Sequence, residues 1–301
     1  MPMIRHWITA LRLRTLPLGV ASIAMSGILA YADGQFKVLI FCMTLLTTVL
    51  LQILSNLAND YGDSVNGADN EFREGPERQT QIAAISVEQM KLAITLMIGL
   101  TLISGITLLY ISGLTLQVIG LFLIAGIICI GAAIKYTAGD SPYGYAGLGD
   151  LSVLIFFGWV GILGAYYLHT LAFEWHYILP ATSCGLFMVA VLNVNNIRDI
   201  YSDEKAGKYS IPVRLGRRKA VWYHWALLTL GLGLSILFVC LDFRQYHQFL
   251  FLLIVPLLII NGKSVKHKTE AMQLDPYLKQ MVLTTILYVI TFGAGHLISH
   301  I

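Results

Sequence analysis

Charged side chains are scarce in this sequence. Asp, Glu, Lys and Arg make up 12% of its 301 residues, whereas hydrophobic residues make up 56% and the mean hydropathy is +0.71. A soluble domain usually has about 25% charged residues and does not need so much apolar surface. The composition therefore excludes an ordinary soluble domain and predicts an integral membrane protein.

Cysteine is also rare, with only four residues in the chain, and no two of them form a Cys-x-x-Cys pair. Closely spaced cysteine pairs are typical of structural zinc sites and of disulfide-rich secreted domains. We therefore expect all four cysteines to be packing residues within apolar segments. The net charge of +3 gives no support for binding of nucleic acid.

Long apolar segments recur along the whole chain, and most approach the roughly 20 residues that a membrane span requires. They predict an all-α, multi-spanning membrane protein of about nine transmembrane helices. The segment at 249–260 is short and contains Pro256. The predicted spans lie at roughly 15–32, 38–57, 91–113, 114–134, 148–169, 176–194, 220–241, 249–260 and 281–299.

The basic residues predict the orientation, because Lys and Arg are retained on the cytoplasmic side of a membrane. Nine spans with the N-terminus inside leave only Lys37 and Arg244 outside, against 18 basic residues inside. Residues 1–14 contain three Arg but no small-residue cleavage pattern, so we expect the first span to be retained. This threading places the ends of spans two and six in the cytoplasm.

Two similar acidic clusters lie at those two ends. The first is Asn-Leu-Ala-Asn-Asp-Tyr-Gly-Asp at 56–63, and the second is Asn-Asn-Ile-Arg-Asp-Ile-Tyr-Ser-Asp at 195–203. Their polar residues recur at intervals of about four, which places them on one face of a helix. Ionisable groups at such positions in a membrane protein usually mark a functional site.

The two clusters also predict an internal duplication. Asn56 and Asn195 are 139 positions apart, as are Asp60 and Asp199, and four predicted spans separate the clusters. An even number of spans gives two parallel pseudo-repeats, of about 1–135 and 136–301, around a central cavity. We expect one transmembrane domain, 1–301, with its ligand between the two halves.

Carboxylate and amide oxygens favour Mg²⁺, which usually binds through one or two carboxylates together with substrate phosphates. A diphosphate held in this way has the charge of its leaving group neutralised. The clusters therefore predict a catalytic site that holds magnesium and a phosphorylated ligand. The predicted metal ligands are Asp60, Asp63, Asp199, Asp203, Asn56 and Asn195, and the four aspartates are also the predicted catalytic residues.

Phosphate oxygens that do not bind metal need Arg or Lys donors. The candidates for binding diphosphate are Arg78, Lys135, Arg198 and Lys208, and each could instead face the cytosol or lipid headgroups. Asp150 follows the Gly- and Tyr-rich string Tyr-Gly-Tyr-Ala-Gly-Leu-Gly at 143–149. It could be a further catalytic residue, binding or deprotonating a second substrate, or it could be a helix N-cap.

With these residues the sequence resembles the UbiA superfamily of intramembrane prenyltransferases. That superfamily has an Asn-Asp-x-x-Asp-x-x-x-Asp motif and a later Asp-x-x-x-Asp motif. Residues 59–63 and 199–203 match, although Gly67 stands where the third Asp of the first motif would fall. The branch that prenylates 1,4-dihydroxy-2-naphthoate is the most similar. Its supporting strings are Arg-Thr-Leu-Pro at 14–17, Gly-Pro-Glu-Arg at 75–78, the 143–150 string and Val-Arg-Leu-Gly at 213–216.

The resemblance implies a Mg²⁺-dependent enzyme in the bacterial cytoplasmic (inner) membrane, with its active site facing the cytoplasm. Its partners would be a polyprenyl diphosphate, 1,4-dihydroxy-2-naphthoate and membrane lipids. The polyprenyl diphosphate would ionise, and the naphthoate carbon that bears the carboxylate would attack the allylic cation. Loss of CO₂ and diphosphate would then give demethylmenaquinone.

Three alternatives remain open at this point. Another member of the superfamily could prenylate 4-hydroxybenzoate or a tetrapyrrole. A cation-coupled secondary transporter also has repeats and intramembrane carboxylates, but these would lie nearer the midplane and be accessible from both faces. A phospholipid head-group transferase would be expected to concentrate its aspartates in one cluster.

Overall fold

A computed structural model of the protein describes residues 2–66, 79–80, 82 and 84–299. Within these ranges the chain is helical and forms no strand. The predicted site residue Arg78 lies outside the described residues, as does Gly67. The α-helices are α1 (Pro2–Leu11), α2 (Leu16–Ala32), α3 (Val38–Val65), α4 (Val87–Ile111), α5 (Leu116–Lys135), α6 (Gly149–Val153), α7 (Ala165–Thr170), α8 (Ile178–Arg198), α9 (Ile200–Lys205), α10 (Ile211–Leu241), α11 (Val255–His267) and α12 (Ala271–Ile298).

The described residues contain eight helical segments that are long and apolar enough to cross a membrane. Residues Ile4–Leu11 and Leu16–Ala32 form a ninth if the bend of 49° between them is counted within one span. The prediction of an all-α protein with about nine spans is confirmed. The pseudo-repeat and the division into halves stay predictions.

The span over Gly149–Thr170 is composite, because a π-helical segment at Leu154–Gly164 connects α6 to α7. Gly158 in this segment lies against α8, where a Cβ added to it would come within 3.2 Å of the Cα of Gly185. Two glycines facing each other allow the two helix backbones to approach closely. Helix α8 is therefore packed tightly against the middle of the composite span.

Pro256 does not interrupt the predicted short span. Residues Tyr246–Ile254 form a 3₁₀-helix, and Pro256 lies in the first turn of α11, which follows directly. A proline is tolerated there because the first backbone N–H groups of a helix have no partner within it. The span consequently runs over Tyr246–His267, longer than the apolar segment predicted.

Helix α8 is the central helix of the bundle. Most of its residues are buried, and it packs against α10, α12 and the π-helical segment. A membrane helix that is apolar on all sides can be surrounded by other helices in this way. Its last residue, Arg198, is 6% exposed. The second acidic cluster therefore begins inside the protein, at the end of the bundle that we call the carboxylate end.

Candidate active site

Helix α3 carries the first cluster. The sequence predicted a span that stops at residue 57, but the helix continues to Val65 and so contains the whole cluster. Asn56, Asn59 and Asp63 recur at helical spacing and all three line an internal cavity. The side-chain amide nitrogen of Asn56 donates a hydrogen bond to the carbonyl oxygen of Leu11 at 2.9 Å, which fixes α3 against the end of α1.

Asp60 faces away from this cavity. Its side chain is buried, and its two carboxylate oxygens accept hydrogen bonds from the backbone N–H groups of Gln79 and Thr80, at 3.1 and 3.0 Å. The hydroxyl of Thr80 donates a third hydrogen bond at 2.7 Å. The structure thus gives Asp60 the position of an anchor for residues 79–80 and does not place it with the predicted metal ligands.

We expect Asp60→Asn to weaken this anchor without changing the metal dependence of activity. The amide would present an N–H₂ group to backbone donors, at a cost of about 1–3 kcal/mol. Proteolysis between residues 66 and 84 should accelerate, while the Mg²⁺ concentration for half-maximal activity stays within about twofold. Thr80→Val, which removes one of the same hydrogen bonds, should act in the same direction. A large increase in the Mg²⁺ requirement with unchanged proteolysis would return Asp60 to the metal ligands.

Gly62 lies between the two aspartates of the first cluster, where α3 meets the chain that follows α5. A Cβ added to Gly62 would lie 2.6 Å from the carbonyl carbon and oxygen of Thr137. The Thr137 hydroxyl also donates to the side-chain oxygen of Asn59 at 3.1 Å. The glycine therefore permits a direct backbone contact that holds the first cluster against the Gly- and Tyr-rich loop.

The second cluster spans a break between two helices. Asp199 is the C-cap residue of α8, and Asp203 lies in the short helix α9. One carboxylate oxygen of Asp203 lies 3.1 Å from the ammonium nitrogen of Lys208, and the other is buried with no hydrogen-bond partner among the described residues. Burial raises the pKa of Asp203 to about 6, and the charges of Asp199 and Asp63 also raise it.

Asp63, Asp199 and Asp203 therefore share one electrostatic environment, although they come from two parts of the chain. Burial lowers the pKa of Lys208, but the charges of these three carboxylates raise it, and the net shift is upward. Asp63 also accepts a hydrogen bond from the Tyr145 hydroxyl at 2.9 Å. The structure brings the two clusters together around Lys208, which lines the cavity.

The other predicted diphosphate ligands have different surroundings. Lys135 ends α5 as an exposed residue and is not part of the cavity wall. Arg198 is buried, and its guanidinium donates two hydrogen bonds to Asp199, both of 2.7 Å. It also donates to Asn195 at 2.9 Å and to Asp275 at 2.7 Å. Four of the five N–H donors of Arg198 are engaged by protein oxygens, so these contacts do not favour a diphosphate ligand there, and that role stays a prediction.

Asp150 lies in the first turn of α6, two residues after the N-cap Leu148, so it does not cap the helix. Its carboxylate is buried and accepts a hydrogen bond from the Tyr223 hydroxyl at 2.8 Å. Tyr136 is among the cavity-lining residues whereas Asp150 is not. Burial and the charge of Asp150 raise the pKa of Tyr136. Asp150 thus does not line the cavity itself, but it lies close enough to Tyr136 of the cavity wall to affect the ionisation of that tyrosine.

The cavity has a volume of about 830 Å³ and extends from the carboxylate end into the membrane-spanning part of the bundle. Its polar lining includes Asp63 and Asn195 from the two clusters, Lys208, which follows the second cluster, and Asp275 of α12. Its remaining walls are largely apolar and include Phe122, Phe156, Phe157, Met188 and Ile286. One end can accept an anionic group with a cation, and the other can accept a hydrocarbon chain.

Sequence reasoning missed Tyr145 and Asp275 as partners of the clusters. Tyr145 belongs to the loop that was noted only for its glycines and tyrosines. Asp275 was placed before the last span, because that span was predicted to begin at 281, whereas α12 begins at Ala271. The sequence feature that could have identified Asp275 is Asp-Pro at 275–276, which places a charged residue near the polar end of an apolar segment.

The donor atoms at the carboxylate end suit magnesium. They are carboxylate and amide oxygens, and Asp203 has a buried oxygen with no partner among the described residues. Among those residues no three His, Cys, Asp or Glu side chains are grouped to hold one ion. This fits a cation that takes one or two carboxylates from the protein and further oxygens from a phosphorylated ligand.

The fold and the site together define an intramembrane enzyme whose cavity has polar side chains at the carboxylate end and is largely apolar elsewhere. The chain belongs to the UbiA prenyltransferase family, whose model matches residues 20–293. The 1,4-dihydroxy-2-naphthoate octaprenyltransferase of Escherichia coli K12 is 43% identical to it over 97% of this chain and 95% of that protein. The enzyme of the same name from Haemophilus influenzae is also 43% identical, over 98% and 97%.

Solved structures show the same fold. A UbiA homologue from Aeropyrum pernix K1 matches with a TM-score of 0.71 at 17% identity, covering 96% of this chain and 99% of that one. A UbiA homologue from Archaeoglobus fulgidus bound to GPP and Mg²⁺ matches with a TM-score of 0.62 at 14% identity, covering 95% and 99%. Membership of this family confirms the predicted resemblance and removes the transporter and head-group transferase alternatives.

Proposed function

We propose that the protein transfers a polyprenyl group from a polyprenyl diphosphate to 1,4-dihydroxy-2-naphthoate, with loss of CO₂ and diphosphate. The observation that carries this proposal is the 43% identity, over nearly the full length of both chains, to enzymes that are named for this reaction. The carboxylate end with its cavity fits an amphiphilic substrate of this kind. The function predicted from the sequence is retained.

The diphosphate would lie at the carboxylate end and the isoprenoid chain in the apolar part of the cavity. Asp63, Asp199 and Asp203 are the carboxylates that lie together around Lys208 and would hold magnesium, with Asn59 and Asn195 of the cavity wall able to supply neutral oxygens. When bound, magnesium neutralises charge on the diphosphate as it leaves. Lys208 can contact the diphosphate directly, because its ammonium group reaches Asp203 and the residue lines the cavity.

The bond changes balance without an external oxidant. The carbon–oxygen bond to diphosphate breaks, and its electron pair leaves with the diphosphate. The ring carbon that bears the carboxylate forms the new bond to the allylic carbon. Loss of CO₂ from that carbon returns an electron pair to the ring. The direct product is therefore the hydroquinone of demethylmenaquinone, which gives the quinone on later oxidation.

We also propose that the carboxylate end faces the cytoplasm of a bacterial cell, in its inner membrane. The distribution of basic residues supports this orientation, with Lys37 and Arg244 alone at the opposite ends of the predicted spans. In the structure these two residues flank the helix ends of α3 and α10 that are remote from the clusters. Soluble naphthoate and magnesium would then reach the site directly.

A radiolabel assay on the purified protein tests the function. Labelled polyprenyl diphosphate is offered with 1,4-dihydroxy-2-naphthoate or with 4-hydroxybenzoate, in magnesium or in EDTA. We expect a lipid product only with the naphthoate and magnesium, together with one released CO₂ per product. A product with 4-hydroxybenzoate alone would show that this compound, and not the naphthoate, is the acceptor. Turnover of the naphthoate in EDTA would contradict the role of magnesium.

A further inference from the structure

Helix α12 contacts the second acidic cluster through the carboxylate of Asp275. Asp275 accepts a hydrogen bond of 2.7 Å from a terminal nitrogen of Arg198, and its side chain is 46% exposed, against 4% for that of the arginine. Next to it, Leu274 is buried in a cluster with Val194 and Ile197 of α8. This packing fixes α12 against α8 and so sets the position of the carboxylate.

Arg198 is consequently shared between two carboxylates. It binds Asp199 through two hydrogen bonds of 2.7 Å, one to each carboxylate oxygen, and Asp275 through a third. A paired guanidinium fork of this kind fixes the plane of the carboxylate as well as its position. Two negative charges and one positive charge leave this group with a net charge of −1.

We propose that Asp275 is a positioning residue of the active site, acting on Asp199 through Arg198. With Asp275 present, the positive charge of Arg198 is divided between two carboxylates, and Asp199 keeps negative charge that a divalent cation can use. Without it, the full charge of the guanidinium is directed at Asp199 and opposes the cation. The proposal rests on the magnesium-dependent function given above and adds a residue from the last helix to its machinery.

The test measures cation binding as well as turnover. Mn²⁺ is titrated into purified protein in the presence of inorganic diphosphate, and free Mn²⁺ is followed by electron paramagnetic resonance. For Asp275→Asn we expect affinity for Mn²⁺ to fall by only about fivefold, because a half-exposed charge is partly screened. The Mg²⁺ concentration for half-maximal prenyl transfer should rise by the same factor. Thermal stability in detergent should change little.

Glu270→Gln is the matched control, because it removes a carboxylate from the start of the same helix, where the side chain accepts a hydrogen bond from Gln273 at 2.7 Å. Its Mn²⁺ affinity should equal that of the unmodified protein. Arg198→Lys gives a second test, since a lysine cannot bind both carboxylates with a planar fork, and it should weaken Mn²⁺ binding likewise. Asp275→Glu, which keeps the charge, should restore most of the affinity.

Unchanged Mn²⁺ affinity in Asp275→Asn, or an equal loss in Glu270→Gln, would overturn the proposal. A loss of thermal stability with unchanged affinity in the folded fraction would reduce Asp275 to a contact between two helices. The Mn²⁺ titration contains neither prenyl donor nor naphthoate. A wrong acceptor assignment would therefore leave its result intact and appear only in the radiolabel assay.

Discussion

Asp63→Asn and Asp203→Asn should each lower kcat by at least about three orders of magnitude, which corresponds to about 4 kcal/mol of lost transition-state stabilisation. Both carboxylates belong to the environment around Lys208, and Asp203 has a buried oxygen with no partner among the described residues. An amide of the same shape removes the negative charge that a divalent cation needs. Single-turnover measurements with saturating polyprenyl diphosphate check the result.

Glu204→Gln is the control for this pair. Glu204 adjoins Asp203 in α9 but is exposed to solvent, so its neutralisation should leave kcat within about twofold. Full activity in both aspartate variants would contradict the assignment of the site. A rise in KM with unchanged kcat would show that these carboxylates bind substrate equally in the ground and transition states.

Arg198→Ala should destabilise the protein by about 3–5 kcal/mol, because it breaks the buried ion pair with Asp199 and leaves that buried carboxylate uncompensated. Asp199 and Asp275 would then face each other without the guanidinium that now lies between them. The apparent melting temperature in detergent should fall, and the folded fraction should have lost most of its activity. If Arg198 instead bound the diphosphate, the substitution would raise KM and leave the stability of the protein unchanged.

Arg218→Ala provides the comparison for that measurement. Arg218 lies on α10 and is exposed, so its removal should change stability by less than about 0.5 kcal/mol. Equal melting temperatures for both arginine variants would show that the contacts of Arg198 contribute little to folding, and the diphosphate role first predicted for it would regain support.

The membrane spans could be predicted from the sequence because each depends on a local property, the length of an apolar segment. The segment predicted at 15–32 corresponds to α2, Leu16–Ala32. Errors occurred where polar residues continue a helix beyond the membrane. Helix α3 extends eight residues past its predicted end, and α12 begins ten residues before its predicted start. Hydropathy contains no signal for such extensions.

The roles of individual polar residues were harder to predict, because they depend on contacts between distant parts of the chain. Periodicity gave Asp60 and Asp63 the same helical face, yet one binds residues 79–80 and the other faces Lys208. Arg198 was assigned to diphosphate because its carboxylate partner on α12 is 77 positions away. The sequence did predict that Asp63, Asp199 and Asp203 lie near one another, because this inference requires only that two similar acidic clusters form one site.

Gly62 constrains how this protein can vary over generations. Every single-base missense change in a glycine codon introduces a residue with a Cβ atom, and at position 62 that atom would meet the carbonyl group of Thr137 at 2.6 Å. Any such mutation must therefore shift the backbone at residue 137. The close spacing of α3 and the tyrosine-rich loop thus depends on keeping a glycine at this one position.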